Sequence, residues 1–255
     1  MPATIHLVRH AEGVHNLSRE NEAIRDPSLT SLGKQQCAAL KRAFPYRDKL
    51  THLFASPLRR ALYTCLLSFS SLDRTAAPGS RPPVLALPEF QEVSDSPCDT
   101  GSEPGLLATE FADLVDLSRV PAGWTETVPW VSYASKLDEL KARARAARRV
   151  LWELLRDSGS EEHVVVVTHG AFLHFLTQDY HGIAEAMSTG WKNTEFRSYQ
   201  FADPTGDDPE ARLIETEESW QRRQAANDRP NKEEQAELQR TFFRQLEPHV
   251  SPRDY

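Results

Sequence analysis

Four stretches of the sequence are each followed by side chains that could take part in catalysis. In chain order these side chains are Arg9 and His10, Arg59 and Arg60, Glu89 and Glu92, and His169. Arginine keeps its positive charge and binds oxyanions through two N–H groups. A neutral imidazole can act as a nucleophile, and a carboxylic acid can protonate a departing oxygen. Brought together, these groups suit the transfer of a phosphoryl group without a metal ion.

The stretch before each of these groups has the pattern of a short β-strand. Residues 4–8, 51–55, 84–87 and 164–167 are short apolar runs, and helical patterns lie between them. Strands that alternate with helices indicate an α/β fold, and we expect a single domain over residues 1–255. In open α/β sheets, ligands bind outside the carboxyl ends of the strands, where these side chains would lie.

A helix start follows the second strand. Ser56 is suited to cap a helix whose first residue is Pro57. Arg59 and Arg60 then fall in the first turn, where the helix dipole disfavours a cation by about 0.3–1 kcal/mol. Cations placed against this rule predict an anion nearby.

Apolar periodicity and composition divide the rest of the chain. We expect helices over residues 31–44, 106–117, 136–157, 171–180 and 232–246, and an edge strand over residues 195–201. We expect a surface loop over residues 70–83, a pocket-shaping insertion over residues 94–133, and a charged C-terminal extension from about residue 203. A solvated face is expected for the arginines of the 136–157 helix, which are Arg143, Arg145, Arg148 and Arg149.

The composition argues against several classes of protein. A net charge of −7 offers no broad basic surface for a nucleic acid. No apolar run approaches the length of a membrane span, and the N-terminus lacks the pattern of a secretory signal, so we expect a cytoplasmic location and no membrane contact.

Cys37, Cys65 and Cys98 are spaced like neither a disulfide framework nor a zinc site. We expect no metal and no cofactor.

Three segments resemble the signatures of a known family. They are residues 7–12 (LVRHAE), 56–64 (SPLRRALYT) and 167–170 (VTHG). In this order they resemble the histidine phosphatase superfamily, which includes the cofactor-dependent phosphoglycerate mutases; residues 26–30 (DPSLT) resemble the segment that follows the first motif. The resemblance covers about residues 4–200. It implies a phosphoglycerate mutase-like three-layer sandwich, in which helices flank a mostly parallel central sheet.

The resemblance also implies how the phosphoryl group would be held. His10 would be the nucleophile that becomes phosphorylated. Arg9, Arg60 and His169 would bind the equatorial oxygens, over which the transition state spreads its charge. Asn16 would add a supporting contact to the phosphate.

The general acid is less sharply defined by the sequence. Glu92 matches the family position, with Glu89 and Asp95 as alternatives. We expect Arg59 to lie on the surface or behind the site, and His15 to support its neighbours rather than react.

The expected reaction depends on the walls of the pocket. A mutase needs extra cations for the carboxylate of its substrate, yet residues 99–133 hold no Lys and one Arg against six acidic residues. The family's mutases also carry Asn where this chain has Ala171, and the residues after His10 lack the Arg and Pro of the acid phosphatase and phytase branch. We expect a phosphatase acting on a small-molecule phosphomonoester. A mutase-type phosphotransferase and a non-catalytic phosphate-binding protein are the alternatives; oligomeric state, and whether the extension covers the pocket, stay open.

Overall fold

The computed structural model describes most of the chain. The described residues are 3–70, 83–126, 133–159, 161–184, 189–224 and 228–250. Most of the loop predicted over residues 70–83, and residues 127–132 of the predicted insertion, lie outside them.

Seven strands form one sheet. They are β1 (Thr4–Arg9), β2 (Leu50–Ala55), β3 (Val84–Ala86), β4 (Val115–Asp116), β5 (His163–Thr168), β6 (Phe196–Phe201) and β7 (Leu213–Glu215). Their order is β4-β3-β2-β5-β1-β6-β7. The first five strands in this order run parallel, whereas β6 is antiparallel to both β1 and β7. The carboxyl ends of β1, β2, β3 and β5 therefore meet along one edge.

Helices cover both faces of the sheet. They are α1 (Ser31–Ala43), α2 (Arg59–Phe69), α3 (Pro104–Phe111), α4 (Tyr133–Leu155), α5 (Gly170–Thr177), α6 (Glu217–Gln224) and α7 (Lys232–Val250). Helices α4, α5 and α7 pack with Val164 and Val166 on one face, and α1, α2 and α3 pack with Val165 and Val167 on the other. This alternation along β5 produces the expected three-layer sandwich with a mostly parallel central sheet. Among the described helices, none combines the length and apolar character needed to cross a bilayer.

The start of α2 differs from the sequence prediction. The helix begins at Arg59 rather than Pro57, and its N-cap is Leu58, whose side chain cannot accept a hydrogen bond. A carboxylate oxygen of Asp26 accepts a hydrogen bond from the backbone N–H of Arg59 at 2.9 Å, while Ser56 Oγ accepts from the N–H of Leu58 at 3.3 Å. The predicted Ser56 cap is therefore wrong, because a residue distant in the sequence supplies the capping oxygen.

The sheet extends further than the sequence indicates. The helix predicted over residues 106–117 ends at Phe111, and β4 follows it and pairs in parallel with β3. Strand β6, predicted to be an edge strand, instead lies between β1 and β7. Strands of two or three residues, such as β4 and β7, are too short to show an alternating pattern.

Two of the four arginines expected on a solvated face of α4 are not there, whereas the other two are exposed. Arg148 is 2% exposed and donates to the backbone carbonyls of Phe175 and Leu176, near the end of α5. Arg143 donates to the backbone carbonyl of Glu92 at 2.9 Å. Helix periodicity did not predict the burial of Arg143 and Arg148, because the carbonyl groups to which they donate belong to distant segments of the chain.

A close approach between α1 and the segment after β1 can be tested at Gly33. A Cβ atom there would lie 2.2 Å from the carbonyl oxygen of Glu12, which is backbone and cannot rotate away. We expect Gly33→Ala to lower the free energy of unfolding by about 1–3 kcal/mol, measured by urea denaturation. Gly105→Ala in α3 is the control: no atom lies within 4 Å, so stability should stay the same or rise by up to about 1 kcal/mol. Equal effects of the two substitutions would contradict the close approach.

Candidate active site

Two histidines lie side by side at the carboxyl edge of the sheet. Strands β1 and β5 pair in register up to Arg9 and Thr168, so the next residue of each chain segment is a histidine at the same level. The backbone N–H of His10 continues the ladder to the carbonyl of Thr168 at 2.9 Å. The ring centroids of His10 and His169 are 5.1 Å apart.

The hydrogen bonds of His10 define its tautomer. Its Nδ1 lies 2.7 Å from the carbonyl oxygen of Ala11, which can only accept, so Nδ1 carries the proton. Nε2 therefore carries no proton, and its lone pair accepts a hydrogen bond from Arg60 Nε at 3.3 Å. Burial and the positive charge of Arg60 lower the pKa of His10 well below its ordinary value. His10 is thus a neutral imidazole with a nucleophilic nitrogen.

Arg60 is fully buried and connects three parts of the chain. Besides contacting His10, it donates from Nη1 to the carbonyl of Cys98 at 2.5 Å and from Nη2 to Asp99 Oδ1 at 2.7 Å. Because an unpaired buried charge is costly, this carboxylate offsets the charge of the guanidinium and fixes its orientation.

Arg9 and His169 hold polar atoms beside His10 that lack a protein partner. Arg9 donates from Nη1 to the carbonyl of Trp191 at 2.5 Å. Among the described residues, its Nε and both ring nitrogens of His169 have no hydrogen-bond partner, although all three atoms are buried. Burial lowers the pKa of His169 well below its ordinary value, and Arg60 adds to this effect. Buried polar groups normally have partners, so these atoms have unused hydrogen-bonding capacity beside His10.

Glu92 reaches the site from the segment after β3. Its carboxylate accepts hydrogen bonds from the backbone N–H groups of Ala171 and Phe172, in the first turn of α5, at 3.2 and 2.9 Å. These bonds favour the charged carboxylate, but burial and the nearby negative charge of Asp99 outweigh them and raise the pKa of Glu92 to about 7. Such a group can give and take a proton near neutral pH.

The other two candidate acids lie elsewhere. Asp95 pairs with Lys136 at 3.4 Å, and neither Asp95 nor Glu89 lines the cavity beside His10, which Glu92 does. Of these three carboxyl groups, the geometry favours Glu92.

Arg59 points away from the cavity. Its Nε and Nη2 donate to Glu110 at 3.0 and 2.8 Å and so tie α2 to α3. This placement agrees with the expectation from the sequence that Arg59 lies on the surface or behind the site.

A cavity of about 220 Å³ opens beside His10. Its described lining includes Arg9, His10, Asn16, Arg60 and Glu92 but not His169, which lies next to His10. Helix α7 forms part of the wall, so the C-terminal extension contributes to the pocket. Among the described residues, no group of three His, Cys, Asp or Glu side chains could hold a metal ion.

Asn16 stands at this cavity with part of its side chain already engaged. Its Oδ1 accepts a hydrogen bond from the backbone N–H of Gly13 at 3.0 Å, and its Nδ2 lies 3.1 Å from His15 Nε2. The ring of His15 is 5.5 Å from that of His10, centroid to centroid. His15 and Asn16 together fix the loop after β1. The second N–H of Asn16 Nδ2 could then contact a ligand.

The family signature agrees with this geometry. The profile of the histidine phosphatase superfamily (branch 1) matches residues 5–210. The chain belongs to this superfamily.

Relatives of similar length agree with this assignment, and two solved structures share the fold. A phosphoglycerate mutase-like protein of Arabidopsis thaliana is 28% identical over 240 residues, covering 78% of this chain and 84% of the relative. The ecdysone phosphate phosphatase of Bombix mori, solved with tungstate, is 15% identical with a TM-score of 0.53 over 78% of this chain and 89% of its own. Bacillus stearothermophilus YhfR, also 15% identical, has a TM-score of 0.50 over 84% of this chain and 95% of its own. At this level of identity, the two structures establish only the fold of this member of the superfamily.

Several residues around the site were not singled out from the sequence. Asp99 counted only as one acidic residue among six, yet it pairs with Arg60. Asn193 donates from Nδ2 to the backbone carbonyl of His10 at 2.9 Å, and Thr64 Oγ1 accepts from the N–H of Ala11 at 3.0 Å. Thr64 lies within a signature segment and could have been noticed, whereas no sequence pattern marks Asn193.

The influence of Asp99 on Glu92 can be measured directly. We expect Asp99→Asn to lower the pKa of Glu92, followed by carbon NMR of the carboxyl group, because a negative charge is removed and Arg60 loses its counter-charge. Both changes favour ionised Glu92. Asp95→Asn, on the same segment but outside the cavity lining, should leave this titration unchanged. An unchanged titration in Asp99→Asn would show that Asp99 does not contribute to the raised pKa of Glu92.

Proposed function

We propose that this chain hydrolyses small-molecule phosphomonoesters through a phosphohistidine on His10. The observation that carries the proposal is the neutral His10 ring, whose Nε2 lone pair faces the guanidinium of Arg60 in a cavity that also contains Glu92. A nucleophile, a binding group for the phosphoryl oxygens and a proton donor are thereby within one small space.

In the first step, His10 Nε2 attacks phosphorus and the ester P–O bond breaks. Glu92, in its carboxylic acid form, gives its proton to the departing alcohol oxygen. In the second step, water attacks phosphorus and the P–N bond breaks. Glu92, now a carboxylate, takes a proton from that water, so inorganic phosphate leaves and His10 and Glu92 return to their starting states.

Positive charge and N–H groups would stabilise the phosphoryl oxygens in both steps. Arg9 and Arg60 line the cavity, and the unpartnered Nε of Arg9 is available to an oxygen. His169 would donate from a ring nitrogen that has no partner among the described residues. These donors act on charge that spreads over the equatorial oxygens in the transition state.

Hydrolysis fits the site better than transfer between two positions of a carboxylate substrate. Ala171 stands where the family's mutases carry Asn, and within the described cavity lining the only Lys or Arg residues are Arg9 and Arg60. A mutase-type phosphotransferase would require a further cation for the substrate carboxylate. A phosphate-binding protein without turnover would not need Glu92 to titrate near neutrality.

The proposal also covers the setting of the reaction. The chain would act as one catalytic domain on a soluble phosphorylated molecule, and a reducing compartment such as the cytoplasm suits Cys37, Cys65 and Cys98, which are free and buried.

The phosphohistidine is the first test. Incubation with a ³²P-labelled phosphomonoester and a rapid quench should give an acid-labile, base-stable label on the protein. We expect His10→Ala to lose the label and at least about 10³-fold in turnover. His52→Ala, which removes a histidine of β2 outside the cavity lining, should retain both. A label that survives in His10→Ala would refute this nucleophile, and label transfer to an added alcohol in preference to water would favour the phosphotransferase.

The role of Glu92 can be separated by the choice of leaving group. Glu92→Gln should lower kcat/KM for methyl phosphate by about 10²–10⁴-fold, because methoxide must be protonated as it leaves. p-Nitrophenolate leaves without a proton, so its ester should lose less than about tenfold. In the wild type, kcat/KM for methyl phosphate should fall as the pH rises above about 7, where Glu92 loses its proton, and Glu92→Gln should lack this decline.

Glu89→Gln is the matched control, since Glu89 lies three residues before Glu92 but does not line the cavity. This variant should keep the wild-type kcat/KM for both substrates and the wild-type pH profile. If Glu89→Gln rather than Glu92→Gln shows the dependence on leaving group, the general acid is Glu89.

A further inference from the structure

One face of α7 forms a wall of the cavity. The residues that line it are Phe242, Gln245, Leu246 and His249. They are spaced by three, one and three positions, which places them on the same side of a helix. The C-terminal extension therefore presents one defined face, with two apolar residues at its centre, to the space beside His10.

This wall is a fixed part of the fold. The ring of Phe242 packs against His174 at 4.9 Å and Tyr180 at 5.6 Å, centroid to centroid. Gln235 bonds to Asp179 through its Nε2 at 2.8 Å, and accepts from the backbone N–H of Tyr180 at 3.0 Å. Further along, Gln245 Nε2 donates to the carbonyl of Ala184 at 2.6 Å. Contacts at both ends and the middle of α7 thus hold its face in place.

The charges in the cavity are distributed unevenly. Arg9 and Arg60 are the only Lys or Arg residues in its described lining, and both are assigned to the phosphoryl group. Glu22 also lines the cavity, whereas the carboxylate of Asp99 already pairs with Arg60. A substrate alcohol that carried a carboxylate would meet an acidic side chain and no further Lys or Arg in the described lining.

Apolar side chains form part of the remaining lining, which also contains Ser94, Ser96 and Thr189. Val93 and Ala171 line the cavity together with Phe242 and Leu246. A polar group placed against these four apolar side chains would lose its hydrogen bonds to water.

We infer that α7 is the specificity wall of the site, and that its Phe242–Leu246 face selects phosphomonoesters of largely apolar alcohols that carry no carboxylate. This inference rests on the proposed function, since it concerns the leaving group of that reaction. Phe242 and Leu246 would contact the alcohol and determine specificity, without touching the phosphoryl group.

The test compares two substrates of similar size, of which one carries a carboxylate. Wild-type kcat/KM should be at least about tenfold higher for benzyl phosphate than for 3-phosphoglycerate. Leu246→Ala should lower kcat/KM for benzyl phosphate about tenfold, through KM, and leave methyl phosphate unchanged because methanol is too small to reach the wall. A preference for 3-phosphoglycerate would overturn the inference.

Two further variants separate specificity from folding. Gln245→Arg adds the missing cation at a half-buried position and should raise kcat/KM for 3-phosphoglycerate at least about tenfold. Phe243→Ala shortens an aromatic residue of the same helix that is not part of the lining, and should keep the wild-type order of substrates. If Leu246→Ala and Phe243→Ala lower the turnover of methyl and benzyl phosphate alike, α7 only supports the fold and the inference is wrong.

Binding distinguishes a failure of this inference from a failure of the proposed function. By calorimetry, benzylphosphonate should bind the wild type at least about tenfold more tightly than 3-phosphonopropionate, and Gln245→Arg should narrow the difference. This outcome without turnover or label on His10 would refute catalysis and keep the specificity wall. Equal binding of the two phosphonates, with normal turnover, would refute the wall and keep the phosphatase.

Discussion

The buried guanidinium of Arg60 is the interaction on which the site depends. A charge removed from water costs several kcal/mol unless it is paired and hydrogen-bonded. Arg60 meets this requirement with His10, the carbonyl of Cys98 and the carboxylate of Asp99, three groups from separate parts of the chain. The start of α2, the end of β1 and the segment around Asp99 are therefore fixed relative to one another, because a shift of any one would leave a buried polar group without its partner.

The surroundings of the Arg60–Asp99 pair shift two neighbouring pKa values in opposite directions: the pKa of His10 is lowered and that of Glu92 is raised. Arg60 and burial act together to keep His10 neutral. At Glu92, burial and Asp99 oppose the N–H groups of α5, and the balance raises its pKa. Environments that separate two titratable groups in this way assign one as nucleophile or base and the other as acid. A bound phosphoryl group would add negative charge near Glu92 and would raise its pKa further, so substrate binding itself would favour the acid form.

The sequence predicts the centre of the fold better than its edges. Strands β1 and β5 are apolar runs that end abruptly in polar residues, so both their existence and the positions of His10 and His169 follow from local pattern. The cap of α2 by Asp26 and the burial of Arg143 and Arg148 depend on partners that only the folded chain brings close. Likewise, the sequence motifs supply the groups proposed to act on phosphate, but nothing local marks Asp99, whose effect on the site requires its proximity to Arg60.

The C-terminal extension shows why composition and periodicity must be read separately. Its high charge suggests a solvated tail, yet Phe242, Leu246 and Val250 repeat every four residues and are all buried, while the charged positions between them face water. These three residues belong to the same core cluster as Val164 and Val166 of β5. Because Phe242 and Leu246 also line the cavity, the residues proposed to contact the leaving group are residues of the core. Any substitution that alters substrate choice at these two positions must therefore also change the packing of α7, so stability and specificity are coupled in this part of the molecule.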